Sequence, residues 1–176
     1  IEVVPSSVKP VTVVFEDTFS WVNTSVDWAN KLEAYKDNWA VFDGRVYAKY
    51  FCLQFGTGSY EAGITTHALT ELGATPTDIT IEAQLTGNAA NKQSAYFKST
   101  GAGSFSATES VTEATVQLDG FIPNASSGAT GEGFDDWETK TLTVYGADQT
   151  TQIRLACVKV GSVTQQFWLN SFRVIK

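Results

Sequence analysis

The chain has 176 residues, with twelve Lys plus Arg against nineteen Asp plus Glu, a formal net charge of −7. That length suits one domain able to bury about 70% of its unfolded surface without cross-links. The acidic balance, with no basic stripe, excludes phosphate-tracking nucleic-acid binders and anionic membrane surfaces as expected partners, and no apolar run reaches the ~18 residues of a spanning helix.

Residues 1–10 carry Pro5 and Pro10 with Ser6 and Ser7 before any periodic pattern, which reads as an extended linker, with the folded domain over residues 11–176. The sequence opens at Ile1 without Met, so removal of an upstream segment is expected. Val11, Val13 and Phe15 alternate with Thr12, Val14 and Glu16 and predict a first half-buried strand. From Ser20 to Gly44 the chain is aromatic-rich but aperiodic, and long loops are predicted there, with one helical turn near Trp28 to Glu33. Strands follow at Arg45 to Phe55 and Gly63 to Leu69, separated by the turn residues Gly56, Gly58 and Ser59.

Ile79, Ile81, Ala83 and Leu85 alternate cleanly with Thr80, Glu82 and Gln84, so one face of this strand is apolar and the other wet. Shorter patterns lie at Ala95 to Lys98 and Gly103 to Ser106, a firmer one at Ala114, Val116 and Leu118, and a long Gly/Ser/Thr loop from Pro123 to Gly133. Three strands close the chain at Thr139 to Tyr145, Thr151 to Val160 and Gln165 to Ile175, the last two predicted as a hairpin. Eight or more short strands with no long amphipathic helix predict an all-β fold, an antiparallel β-sandwich of jelly-roll type.

His67 is the single histidine, in a strand-like run without a nucleophile elbow, so neither a His-rich metal centre nor a Ser-His-Asp triad is expected. Glycoside hydrolysis needs two carboxylates across the sugar bond. The densest acidic cluster, Glu132, Asp135, Asp136 and Glu138 around Trp137, lies in a Gly-rich loop and lacks an ordered strand motif, which favours a solvated loop. Glu16, Asp17 and Asn170 are hard oxygen donors near the two ends of the domain and form a candidate structural Ca²⁺ site; alternatively Asp17 caps a turn. Cys52 and Cys157 are read either as two buried thiols or as a disulfide between neighbouring strands.

Five Trp and six Tyr exceed what the core obviously needs. Trp28, Tyr35, Trp39 and Trp137 stand among polar neighbours, and loop aromatics of this kind stack on the C–H faces of sugar rings while residues such as Asp136 bond the hydroxyls. The alternative is that these rings plug the ends of the sandwich.

The segments Phe15-Glu16-Asp17-Thr18-Phe19-Ser20-Trp21, Leu53-Gln54-Phe55-Gly56-Thr57-Gly58, Gly63-Ile64-Thr65-Thr66-His67-Ala68-Leu69, Trp137 before Thr141-Leu142-Thr143-Val144, and Phe167-Trp168-Leu169-Asn170-Ser171-Phe172-Arg173-Val174 resemble a group of secreted or surface-anchored Bacteroidetes proteins. These carry a jelly-roll module like galactose-binding and carbohydrate-binding domains. Such modules usually have Pro where His67 stands and Asp where Asn170 stands, and the second departure removes a formal charge from the candidate cation site. The resemblance implies a non-catalytic glycan-binding domain of a secreted protein or outer-membrane lipoprotein, with a polysaccharide as partner. Two other classes stay open: a structural or protein-interaction domain, recognisable by an extended apolar patch, and a jelly-roll hydrolase or lyase, recognisable by a cleft with paired carboxylates.

Overall fold

Strands whose side chains alternate at period two can be apolar on one face only, and two such sheets bury those faces against each other. The computed structural model describes residues 10–22, 38–44, 46–49, 51–55, 62–88, 95–106, 115–117, 124–125, 137–157 and 167–176. Among the described residues thirteen strands run in chain order: β1 (Val13–Asp17), β2 (Trp39–Gly44), β3 (Val46–Lys49), β4 (Cys52–Phe55), β5 (Ala62–Thr66), β6 (Thr77–Asn88), β7 (Ala95–Thr100), β8 (Ser104–Phe105), β9 (Thr115–Gln117), β10 (Asn124–Ala125), β11 (Glu138–Ala147), β12 (Gln152–Cys157) and β13 (Phe167–Ile175). The described helical structure is one 3-10 turn, Thr70–Leu72.

The larger sheet has eight strands in the order β3-β4-β13-β6-β11-β8, with β1 also pairing β13 and β10 pairing β6; the smaller has the order β2-β5-β12-β7-β9. All pairs are antiparallel except β10 with β6. β4 pairs the first residues of β13 and β1 the last, so β1 and β4 share one edge of that strand. The fold is therefore the predicted antiparallel jelly-roll sandwich.

The core lies between the sheets. Ile79, Ile81, Ala83 and Leu85 of β6 face Ile153 and Leu155 of β12, Ile64 of β5 and Phe97 of β7, all at or near zero exposure. One long strand, β6, thus shows the alternation predicted for it, with Thr80, Glu82 and Gln84 half-buried on the other side.

Four local expectations are corrected. In place of one strand over Arg45 to Phe55, Val46–Lys49 and Cys52–Phe55 form a tight hairpin: Lys49 pairs with Cys52, and Phe51 takes the left-handed conformation, φ 57°, that so short a connection demands. Part of the predicted Ser20–Gly44 loop is strand β2, held on β5. β12 and β13 are not a hairpin, because β12 pairs β5 and β7 in one sheet while β13 pairs β1, β4 and β6 in the other. The predicted Pro123–Gly133 loop contains the short strand β10, and the proposed helical turn near Trp28 lies outside the described residues.

One end of the sandwich is closed by side-chain bonds. Thr151, fully buried, donates its hydroxyl to the Ala102 carbonyl (2.6 Å) and accepts the Asp148 N–H (3.0 Å). Asp148 in turn accepts the N–H and hydroxyl of Thr150 (2.7 and 2.6 Å), and these bonds hold its carboxyl below the ordinary value of 3.8.

Candidate functional site

The pleat that sends Ile81, Ala83 and Leu85 inward sends Thr80, Glu82, Gln84 and Thr86 to the outer face of the larger sheet. Pairing registers then align side chains from neighbouring strands on that face. Glu82 lies opposite Arg173 on one side and Thr141 on the other, and Arg173 lies opposite Glu16. Gln84 lies opposite Ser171 and Thr139, while Thr86 lies opposite Trp168, which faces Gln54, which faces Tyr47. A bulge at Asn170, the residue skipped between the Leu169 and Ser171 pairings, resets the alternation of β13 so that Trp168 and Arg173 both point outward.

Part of this face is open. Glu16, Glu82, Gln84, Thr139, Ser171 and Arg173 line a depression of about 280 Å³. Arg173 Nε donates to Glu82 Oε2. That hydrogen bond, then the charge of Glu82 and more weakly that of Glu16, raise the guanidinium above its ordinary range, so Arg173 is a permanent cation between two carboxyl side chains. Every lining group is polar, and all but Arg173 can accept a hydrogen bond.

The adjoining part is covered. Gln54, Thr86, Cys52 and Trp168 are at most 4% exposed although they lie outside the sandwich core, and Trp137, half-buried, packs on the Cys52–Trp168 pair. Gln54 Oε1, Thr86 Oγ1 and Asn170 Oδ1 are buried with no hydrogen-bond partner among the described residues. Orphaned oxygens at such a density are uncommon in native interiors and call for donors.

Of the residues singled out from sequence, Trp137 and Glu16 belong to this face. Trp39 does not: it is fully buried in the core, with Phe15 and Phe172 edge-on at 4.9 and 5.3 Å between centroids, and cannot stack on a ligand. Trp28, Tyr35 and Asp136 lie outside the described residues, as do Glu132 and Asp135. Glu138 is ion-paired with Lys140 at 2.6 Å. His67 is exposed beyond the end of β5.

The three candidate cation ligands do not face one another. Glu16 and Asp17 are successive strand residues and leave opposite faces. Asp17 turns inward, 5% exposed, and accepts the Phe19 N–H (2.7 Å) and the indole N–H groups of Trp21 (3.0 Å) and Trp39 (2.8 Å), whereas Asn170 belongs to the outer face. The turn-capping alternative describes Asp17, extended by two indoles. No cluster of three His, Cys, Asp or Glu side chains suited to a metal occurs among the described residues. Cys52 is a buried thiol on the larger sheet and Cys157 ends β12 in the smaller one.

Sequence reading missed Trp168, Gln54, Gln84, Glu82 and Arg173. The signal was present as parity: Trp168 and Gln54 each interrupt an apolar pair, Phe167/Leu169 and Leu53/Phe55, which marks the side chain that leaves the core.

The outer face of the smaller sheet carries a different arrangement. Arg154 spans it, donating to Asp43 Oδ1 (2.9 Å) and Thr65 Oγ1 (3.3 Å). Burial lowers the affinity of this guanidinium for its proton, but hydrogen bonds with Asp43 and Tyr96 outweigh that and leave it raised. Gly63 lies directly beneath, and a Cβ there would overlap the guanidinium.

No protein-family model and no curated protein matches the chain. Solved structures do. The tandem CBM22-1-CBM22-2 domain of Paenibacillus barcinonensis Xyn10C is similar at a TM-score of 0.50 and 10% identity, covering 96% of this chain and 46% of that one. The single CBM22-1 xylan-binding domain of the same protein has a TM-score of 0.46 at 10% identity over 93% of each chain. TmCBM61 in complex with β-1,4-galactotriose has a TM-score of 0.43 at 7% identity, covering 85% of this chain and 98% of that one. At these identities the likeness is one of fold.

Proposed function

We propose that this protein is a non-catalytic carbohydrate-recognition module of a secreted or cell-surface protein, binding a polysaccharide on the outer face of its larger sheet. The observation that carries the reading is the open polar depression of Glu16, Glu82, Gln84, Thr139, Ser171 and Arg173, beside which half-buried Trp137 stands on the same face, packed on the covered Trp168. Sugar recognition needs both parts, since hydroxyls seek hydrogen-bonding side chains while the C–H face of the ring seeks an aromatic surface. A volume near 280 Å³ stands just below the range of about 300–1,000 Å³ typical of small-molecule sites, which suits a shallow contact with a chain that continues into solvent.

The same geometry disfavours hydrolysis. Glu16 and Glu82 flank the face on strands two apart, and the residue opposite both is Arg173, a cation bonded to Glu82 that stands between the two carboxyls in the row. The exposed large apolar side chains among the described residues, Val11, Val13, Val41, Phe51 and Tyr145, are spread over both sheets and a turn, so they do not form the extended patch of a protein-interaction surface.

Proteins of similar fold are described as xylan-binding and as bound to β-1,4-galactotriose, which sets the first probes. Calorimetry with soluble xylan and β-1,4-galactan is expected to show saturable binding that Gln84→Ala with Arg173→Ala weakens by about tenfold or more. Absence of binding across a broad polysaccharide array by the folded chain would overturn the reading.

A further inference from the structure

We infer that the ligand of the outer face is an uncharged glycan whose free hydroxyls point at the sheet, and that the face rejects uronate- or sulfate-bearing chains. The inference rests on the carbohydrate-recognition reading and names its substrate class.

Two observations carry it. First, the open depression holds two carboxylates and one guanidinium, a net single negative charge, and that guanidinium is already engaged by Glu82 and faces Glu16 on its other side. Its charge is offset by these two carboxylates, which weakens the attraction it offers to a carboxylate or sulfate group. Lys140, a nearby cation of β11, sits on the alternate side of that strand from Thr139 and is paired with Glu138. Second, the side chains of this face are rich in acceptors: Glu16 and Glu82 only accept, and Gln84, Thr139 and Ser171 accept as well as donate.

An oxygen acceptor is satisfied by an O–H donor and repelled by an anionic oxygen, so both observations select hydroxyls over charged substituents. The chain's net charge of −7 acts in the same direction at long range.

The test uses the whole chain with four probes: unsubstituted xylan, β-1,4-galactan, glucuronate-substituted xylan and polygalacturonate. At low ionic strength the neutral chains are expected to bind about tenfold or more tightly than the uronate-bearing ones, with the gap narrowing in about 1 M NaCl, where the Debye length is near 3 Å. Glu16→Gln with Glu82→Gln, both on the solvent side of the sheet, leaves the Arg173 charge uncompensated and is expected to close or reverse the gap; Glu16→Gln alone narrows it. Equal or tighter binding of uronate chains by the unaltered protein overturns this inference and leaves glycan recognition standing. So does discrimination that persists unchanged in the double variant. No binding to any of the probes, or to a wider neutral panel, overturns both.

Discussion

The carboxylate of Asp17 accepts the indole N–H of Trp39 at 2.8 Å, and this single bond joins β1 of the larger sheet to β2 of the smaller. The same carboxylate receives the Trp21 indole and the Phe19 backbone, so one buried side chain satisfies three N–H donors at the start of the domain. Replacing it orphans all of them. Asp17→Ala is expected to destabilise by about 3 kcal/mol, and Asp17→Asn by less, because the amide keeps one acceptor oxygen. Urea unfolding followed by tryptophan fluorescence measures both; a loss below about 0.5 kcal/mol for the alanine variant contradicts the role.

Thr151 ties two turns together through its hydroxyl, to Ala102 and Asp148, in full burial. Thr151→Val keeps the shape and removes both bonds. The expected cost is about 1–3 kcal/mol, read as a fall in Tm of about 2–4 °C per kcal/mol for a domain of this size. An unchanged Tm would refute the assignment.

Acid should weaken the neighbouring turn. The Asp148 carboxyl is held below its ordinary value of 3.8 by Thr150, and a group whose folded pKa is depressed adds stability above its unfolded value that is lost as the pH falls through the folded one. Wild type is therefore expected to exceed Asp148→Asn in urea midpoint near neutral pH and to converge with it below pH 3.8. A difference that stays constant down to the acid limit would count against the linkage.

Gly63 and Arg154 should be energetically coupled, because the guanidinium occupies the space of a Cβ. Gly63→Ala is expected to cost about 1–2 kcal/mol in the wild type and clearly less in an Arg154→Ala background. A double-mutant cycle gives the coupling directly, and additivity would show that Arg154 swings away freely.

Phe51 holds φ at 57° and is 49% exposed in the β3–β4 turn. Glycine adopts that conformation without the steric cost borne by a residue with a Cβ, so Phe51→Gly is expected to stabilise the chain by about 0.5–1 kcal/mol. Thermal unfolding decides the sign.

How much was legible follows from which interactions are local. The alternation of Ile79, Ile81, Ala83 and Leu85 with polar residues is written in consecutive positions, and β6 formed as that pattern required. Trp39 misled. It follows Asn38 and looked solvent-facing, yet Asp17 draws it into the core from 22 positions away. Trp168 shows the reverse limit: parity between Phe167 and Leu169 marks its side of β13 as outer, but nothing local marks it as covered. Neighbours in sequence are poor witnesses here, since a strand residue's surroundings come from other strands and from the opposite sheet.

By itself the sequence determined period-two strands, the sandwich class and the turn residues between strands, because backbone alternation and turn chemistry act over a few residues. Only the tertiary structure decided that β12 and β13 part into different sheets, that the Asn170 bulge turns both Trp168 and Arg173 outward, and that Glu16, Arg173 and Glu82 meet in one row. Those outcomes depend on pairing between distant segments, Glu16 and Arg173 being 157 positions apart, and such pairing is fixed by which buried faces fit together rather than by any local pattern.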